Sequence, residues 1–165
     1  MNASAHHLTL KFIGEVDDER RDRIASALES VAHPAFHIRI QGLSVFPGFS
    51  KPRVLVVGVA REPELMDLQR AVEELLADLD IPVEPRPYRP HITIARLREE
   101  NADRVRKYLS THRNFSLPPI LAREFSLYAS QTKPSGAVYD RLATYDLARQ
   151  VEGSRQGDRR AGKLE

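Results

Sequence analysis

The strongest constraint on this sequence is an internal repeat. His-x-Thr followed by an aliphatic residue occurs twice, as "HLTL" at 7–10 and "HITI" at 91–94. From each motif the chain runs through the same predicted order of strand, helix, strand, loop and strand. The simplest architecture with this order has two similar α+β lobes related by a pseudo-twofold. Such an arrangement brings His7 and His91 face to face across a cleft.

The predicted elements follow from hydrophobic periodicity. Alternation predicts strands at 7–13, 35–46, 53–60, 91–97, 121–131 and 137–147. Helical spacing predicts helices at 17–32, 63–80 and 101–112, the last opened by Asn101 as a cap. The four prolines of 81–90 predict a loop. The expected fold class is therefore α+β, with antiparallel sheets and outer helices around a central cleft.

Strand alternation separates polar from apolar side chains in both motifs. The side chains predicted to face the helices are Leu8, Leu10, Phe12, Ile92 and Ile94. The opposite face carries His7, Thr9, Lys11, His91 and Thr93. Polar groups on the open face of a sheet are typical of a wet concavity and not of a core.

Two opposed histidines suit in-line displacement at phosphorus. An ordinary imidazole titrates near pH ~6.5, so its neutral and protonated forms are both available near neutrality. One imidazole takes a proton from the attacking water, and the other gives a proton to the leaving oxygen. The hydroxyls of Thr9 and Thr93 can donate hydrogen bonds to the non-bridging phosphate oxygens. The residues alone do not say which histidine takes which role.

Several other function classes fit the sequence poorly. The chain has no Cys, which removes disulfides and thiolate chemistry. Two histidines without neighbouring Asp, Glu or Cys make a poor zinc set, so we expect neither metal nor cofactor. The longest apolar run, at 54–60, is too short for a bilayer span, and the N-terminus lacks a signal-peptide pattern. We therefore expect a cytoplasmic protein without membrane contact.

The net charge of +2 comes from the C-terminal tail. Residues 149–165 hold five Lys/Arg and three Asp/Glu, which leaves 20 of each sign in residues 1–148. The composition predicts one domain over 1–148 and a disordered basic tail over 149–165. Any anion site must therefore arise from the local placement of charge.

Four stretches carry a family resemblance: "HLTLKFIGEV", "GLSVFP", "KPRVLVVGV" and "RPYRPHITIARL". Over residues 6 to about 147 the chain resembles the 2H phosphoesterases, in particular the bacterial RNA 2′,3′-cyclic phosphodiesterases of the LigT or ThpR type. The resemblance implies metal-free hydrolysis of a terminal 2′,3′-cyclic phosphate on RNA to a 2′-phosphomonoester. It implies that His7 is the proton donor, that His91 is the proton acceptor, and that Thr9 and Thr93 hold the phosphate.

Four further residues are candidates for substrate contact. Arg96 belongs to the family-like "HITIAR", but simple alternation turns it away from His91 and Thr93, so a bulge or strand end is required. Lys11 shares the parity of His7 and Thr9. Arg89 and Tyr88 are candidates at the cleft mouth, for backbone phosphate and base stacking respectively. The alternative for these two is an exposed Pro-rich loop.

The resemblance has one departure, because family members carry a strand and a helix before the first motif. We therefore expect an N-terminally incomplete first lobe with an open sheet edge, and hence marginal stability or self-association.

Two alternative functions are compatible with the sequence. One is an RNA-end-binding module with impaired turnover, and the other is a phosphodiesterase acting on a small cyclic nucleotide.

Overall fold

The computed structural model describes residues 6–97, 102–133 and 136–148. The helices are α1 (Asp18–Leu28), α2 (Pro63–Ala77) and α3 (Ala102–Thr111). The strands are β1 (Phe36–Ile38), β2 (Ile40–Phe46), β3 (Val54–Val59), β4 (His91–Arg96), β5 (Ile120–Ala122), β6 (Glu124–Lys133) and β7 (Gly136–Asp146). All strand pairs are antiparallel, in the orders β2-β3-β4, β6-β7 and β1-β5. The predicted α+β class is confirmed, whereas Asn101 and the tail 149–165 lie outside the described residues.

The internal repeat is visible in the strand breaks. The predicted strand 35–46 is broken at Arg39, and the predicted strand 121–131 is broken at Arg123. In both places the carbonyl of the breaking arginine accepts a hydrogen bond from the end of the following hairpin, from Ala60 at 2.8 Å and from Leu147 at 2.7 Å. Each predicted strand is thus split because its two parts serve different sheets. The equivalent strands β1 and β5 pair antiparallel with each other, as a twofold relation requires.

The helices begin where predicted and end earlier. Asp17 caps α1 by accepting the Arg20 N–H at 2.7 Å. After α2, Asp80 takes a left-handed φ of 59°, and the Ile81 N–H returns to the Leu76 carbonyl at 3.0 Å. This reversal ends the helix before residue 80. Within the described residues no helix combines the length and apolar character that a bilayer span requires.

Two clusters of buried residues pack against one face of the central sheet. The main buried cluster joins α1 and α2 to β3 through Ile24, Leu28, Val57, Val59, Leu65, Leu68, Val72 and Leu76. A smaller cluster packs Val105 and Leu109 of α3 against Val45 of β2. Because helices cover this face at both ends, the opposite face is the one left for a site.

The first motif does not form the predicted strand 7–13. Leu8 alone bridges to β4, opposite Ile92. In that register Pro90 stands opposite Leu10 and has no N–H to continue the ladder. On the other side, β4 bulges at Ile94, which is skipped between the pairs Leu55–Ala95 and Val56–Thr93. Both flanks of the bridge are therefore unsuited to a longer ladder.

The alternation predicted for the first motif holds through Leu10 and then fails. Leu8 and Leu10 pack against the main cluster as predicted. The Lys11 side chain is only 6% exposed, whereas Phe12 is 78% exposed. The predicted burial of Phe12 is wrong because the chain leaves the edge of β4 after Leu10 and turns its lysine inward.

Candidate active site

The single bridge between Leu8 and Ile92 brings the two His-x-Thr motifs together. In an antiparallel register centred on this pair, His7 stands opposite Thr93 and Thr9 stands opposite His91. The two histidines are then diagonal neighbours, about 7–8 Å apart between backbones. A phosphate group fits between side chains at that separation, with one hydroxyl available from each motif.

The four motif side chains share the face that the helices leave uncovered. Leu8 and Ile92 pack against the main cluster, so the residues on either side of them point the other way. All four polar side chains are partly buried: His7, Thr9, His91 and Thr93. This is the placement that the alternation of the two motifs predicted.

His91 is held from two directions. Its ring packs edge-on against Phe46 of β2, with 4.8 Å between ring centroids. Its Nδ1 lies 2.7 Å from the Arg89 carbonyl oxygen, which can only accept a hydrogen bond. Nδ1 therefore carries the proton in this contact, which leaves Nε2 of the neutral ring as the nitrogen able to accept a proton. Opposite His91, Gly58 has no room for a side chain, because a Cβ there would lie 2.8 Å from the Gln41 carbonyl oxygen.

His7 lies against two tyrosines of the β6–β7 hairpin. The Tyr139 ring meets it edge-on at 4.6 Å, and the Tyr128 ring lies stacked at 6.5 Å. Tyr128 is 44% exposed, so part of its ring is open to solvent beside His7. The hairpin thus flanks His7, whereas Phe46 of β2 flanks His91.

The bulge in β4 places Arg96 on the face of the site. Arg96 pairs with Val54, and Thr93 pairs with Val56. Cross-strand partners point to the same face, and Val54 and Val56 are two residues apart, so Arg96 shares the face of Thr93. The bulge at Ile94 is the departure from strict alternation that the sequence required for Arg96 to share this face. Arg96 is exposed and thus open to an anion in the cleft.

Lys11 binds groups outside the two histidine motifs. Its ammonium donates to the Glu73 carboxylate of α2 and, at 2.6 Å, to the Pro82 carbonyl. The Glu73 side chain is 13% exposed, so the pair is largely withdrawn from water. This placement argues against the predicted contact between Lys11 and substrate, and we leave Lys11 out of the substrate-binding set.

The two candidates of the Pro-rich loop have different surroundings. Tyr88 is partly buried and donates its hydroxyl to the Thr9 carbonyl at 2.9 Å, which does not suit the predicted base stacking. Burial raises the pKa of Tyr88 far above its usual range, so this hydroxyl remains a donor. Arg89 is exposed, and its guanidinium lies 6.0 Å from the centroid of Phe46, beside His91.

Phe46, Tyr128 and Tyr139 were not among the residues predicted for the site. One signal was available, because "LSVF" at 43–46 and "FSLY" at 125–128 occupy equivalent places in the repeat. That equivalence puts an aromatic residue after the buried Val45 and after the buried Leu127. Among the described residues, no three His, Cys, Asp or Glu side chains converge as a metal site would require.

Comparison with known proteins identifies the family. The family model described as "2′-5′ RNA ligase superfamily" matches residues 1–133. The chain belongs to the 2′-5′ RNA ligase superfamily. Its two histidine motifs lie within the matched region, as does the loop that precedes the second one.

Relatives and solved structures agree with this membership. An RNA 2′,3′-cyclic phosphodiesterase of Archaeoglobus fulgidus is 35% identical over 143 residues, which cover 85% of this chain and 78% of the relative. The enzyme of the same name from Thermus thermophilus is 35% identical over 155 residues, covering 86% and 71%. The crystal structure of E. coli LigT complexed with 3′-AMP matches with a TM-score of 0.68 at 25% identity, over 90% of this chain and 80% of LigT. The predicted LigT-like fold is thereby confirmed.

Proposed function

We propose that this protein hydrolyses 2′,3′-cyclic phosphate ends of RNA to 2′-phosphomonoesters, by acid and base catalysis that uses His7 and His91 and no metal. The observation that carries the proposal is the Leu8–Ile92 bridge, whose register sets the two His-x-Thr motifs side by side on one open face. The activity named for the relatives from Archaeoglobus fulgidus and Thermus thermophilus supports the choice of substrate. A cytoplasmic location is part of the same proposal.

The reaction begins with the cyclic phosphate held by the hydroxyls of Thr9 and Thr93 and by the Arg96 guanidinium. A water attacks phosphorus and gives a proton to Nε2 of neutral His91. The bond from phosphorus to the 3′ oxygen breaks, and His7 imidazolium gives its proton to that oxygen. The products are a free 3′ hydroxyl and a 2′-phosphomonoester. Proton exchange with solvent then restores neutral His91 and protonated His7.

The resemblance assigns the acid and the base, and the contacts of His91 are compatible with that assignment. The Arg89 carbonyl fixes the proton on Nδ1 of the neutral ring, which leaves the Nε2 lone pair to receive a proton from water. This arrangement suits a base that must be neutral before each turnover.

The test is turnover of a short oligoribonucleotide that ends in a 2′,3′-cyclic phosphate. We expect a 2′-phosphomonoester product, a bell-shaped pH profile and unchanged rates in excess chelator. His7→Ala and His91→Ala should each lower kcat by about 10²–10⁴-fold while the fold is retained by circular dichroism. Binding of the RNA end without any turnover would instead identify an end-binding module. Loss of activity in chelator with recovery on zinc or manganese would identify a metal enzyme.

A further inference from the structure

The first motif has unusually little secondary structure to hold it. Its single backbone bridge to β4 is at Leu8, and the ladder stops at Pro90 on one side and at the bulge on the other. The position of His7 relative to His91 must therefore depend on side-chain contacts. Hydrogen bonds from two residues, Tyr88 and Lys11, join the segment 7–11 to the loop 81–90.

The loop 81–90 contacts both motifs. Near its end, the Tyr88 hydroxyl donates to the backbone carbonyl of Thr9 at 2.9 Å, and the next residue, Arg89, supplies the carbonyl that orients His91. Near its start, the Pro82 carbonyl accepts from Lys11 at 2.6 Å. The loop thus fixes the backbone of the first motif at Thr9 and the ring of the second motif at His91.

Glu73 of α2 anchors the start of this loop. Its carboxylate accepts hydrogen bonds from the Lys11 ammonium, from the Glu84 N–H at 2.9 Å and from the Gln69 amide at 3.0 Å. With Lys11 at 6% exposure, the pair is shielded from screening by solvent and salt. The Lys11 ammonium and the Glu73 carboxylate are buried and have several partners, so each has one favoured position. The backbone of the loop start and of Lys11 is held in place with them.

We propose that Tyr88 and Lys11 are positioning residues that set the register of the His7 motif against the His91 motif. This inference rests on the proposed function. Neither residue touches the reacting atoms, and both act through the backbone of residues 7–11. A misplacement of about 1 Å between catalytic groups can lower turnover by about 10²-fold, so loss of either contact should lower kcat far more than it changes KM.

The chain offers a matched control for Tyr88. Tyr145 of β7 makes the same bond, from a partly buried tyrosine hydroxyl to a backbone carbonyl at 2.9 Å, but its acceptor is Ala25 of α1. Tyr88→Phe should lower kcat by about 10- to 100-fold with KM within about twofold of wild type. Tyr145→Phe should lower the melting temperature to a similar extent and leave kcat within about twofold. Equal kcat values for the two variants would overturn the inference.

Combination with a catalytic variant separates positioning from general stability. In a His7→Ala background, Tyr88→Phe should cause a much smaller loss of kcat than in wild type, because His7 is gone and Thr9 is the remaining group that Tyr88 positions. A loss of the same size in both backgrounds would overturn the inference. The imidazole proton resonances of His7 provide a readout without turnover: they should shift or broaden in Tyr88→Phe and stay unchanged in Tyr145→Phe. If the wild type has no activity but its His7 resonances respond to the two substitutions in this way, the proposed function is wrong and the positioning role of Tyr88 stands.

Lys11 supplies a second, independent arm if Tyr88→Phe does not fold. Arg20 is its matched control, because its guanidinium binds the carbonyls of Leu79 and Asp80, at 2.9 and 2.8 Å, beyond the end of the same helix. Lys11→Gln should lower kcat by about tenfold or more, whereas Arg20→Gln should affect stability only. Equal kcat values in these two variants would overturn the assignment of Lys11.

Discussion

The side chains of Thr9 and Thr93 lie on the same face as the two histidines, and we expect their hydroxyl groups to donate to the phosphate. Thr→Val keeps the size of the side chain and removes the donor. Loss of one preorganised donor to a developing phosphate charge is expected to cost about 10²-fold in kcat. Steady-state kinetics of Thr9→Val and Thr93→Val on the cyclic-phosphate oligonucleotide measures the loss.

Thr111→Val is the control for these two variants, because the Thr111 hydroxyl donates to the Lys107 carbonyl at the end of α3. It should leave the kinetics unchanged. Full activity of both motif variants would mean that the threonines serve the fold and not the phosphate.

We expect Arg89 to distinguish an RNA substrate from a mononucleotide. Its exposed guanidinium lies on Phe46 beside His91, at a place where the backbone phosphate of a preceding nucleotide can reach it. Arg89→Gln should lower kcat/KM for the oligonucleotide by about tenfold and weaken its salt dependence, while a nucleoside 2′,3′-cyclic phosphate is cleaved as before.

Arg86→Gln is the control for Arg89, because Arg86 is an exposed arginine of the same loop that pairs with Glu84 at 3.1 Å. Arg86→Gln should leave kcat/KM unchanged for both substrates. If Arg89→Gln affects both substrates equally, Arg89 does not contact a second phosphate, and the preference for RNA must come from elsewhere.

At the residue scale, the juxtaposition of the two histidine motifs could be predicted because each motif is local and occurs twice. Spacing inside a strand fixes which side chains share a face, so the four residues of each motif were enough to predict that its His and Thr lie on one face. Lys11 shows the limit of that reasoning, since its parity matched His7 but a distant carboxylate, Glu73, binds its ammonium. Phe46 and Tyr139 depend on neighbours from other strands, which a local pattern does not specify.

At the element scale, two tyrosine hydroxyls connect neighbouring elements, and burial raises the pKa of both Tyr88 and Tyr145. A pKa raised by folding contributes stability that is present below the unfolded value, about 10, and is lost as pH rises above it. For Tyr88 the slope can reach about 1.4 kcal/mol per pH unit. The unfolding free energy should therefore fall steeply between pH 10 and 11.

Urea unfolding at pH 9, 10 and 11 checks this, with wild type compared with Tyr88→Phe. The variant is less stable at pH 9 but should lose less on going to pH 11, because it has one fewer buried hydroxyl to ionise. Parallel curves for the two proteins would show that the ionisation of Tyr88 does not limit stability in base.

The elements themselves were predicted to different extents. Helices were located because their apolar spacing is long and regular, although the end of α2 depended on a left-handed residue at Asp80. The strands 35–46 and 121–131 read as continuous, yet each divides between two sheets. Alternation does not report which partner a strand has, so a break that serves two partners leaves no trace in the pattern.

At the scale of the whole molecule, we expect weak self-association through an exposed apolar region. Phe12 and Val83 are 78% and 60% exposed, and each directly follows a member of the contact between Lys11 and Pro82. Two large apolar side chains in one surface region favour association. Sedimentation velocity over a range of concentrations should show a shift toward dimer, and Phe12→Ser should reduce that shift.

Phe49→Ser is the control for Phe12, since Phe49 is 44% exposed and its ring lies under the Arg106 guanidinium. It should leave the association unchanged. A protein that is monomeric at every concentration tested would remove self-association from the properties expected of this chain.

The repeat predicted two lobes but not how they share strands. The strand of the second motif, β4, joins the sheet of β2 and β3 from the first half of the chain. Conversely, His7 of the first motif lies against Tyr128 and Tyr139 of the second half. A repeat in sequence is the same whether each motif strand stays with its own half or crosses to the other. Only the folded chain reveals the exchange.

That exchange has a consequence for how the molecule folds. The pairs that join the two halves of the chain, such as Leu8 with Ile92 and Phe36 with Ala122, connect residues far apart in the sequence. Closing such long loops is entropically costly, so these contacts form late, after the local hairpins and helices. A partly folded chain would contain both motifs and lack the cleft between them. During refolding, catalytic activity should therefore return with the slowest structural phase, and activity would report completion of the native topology.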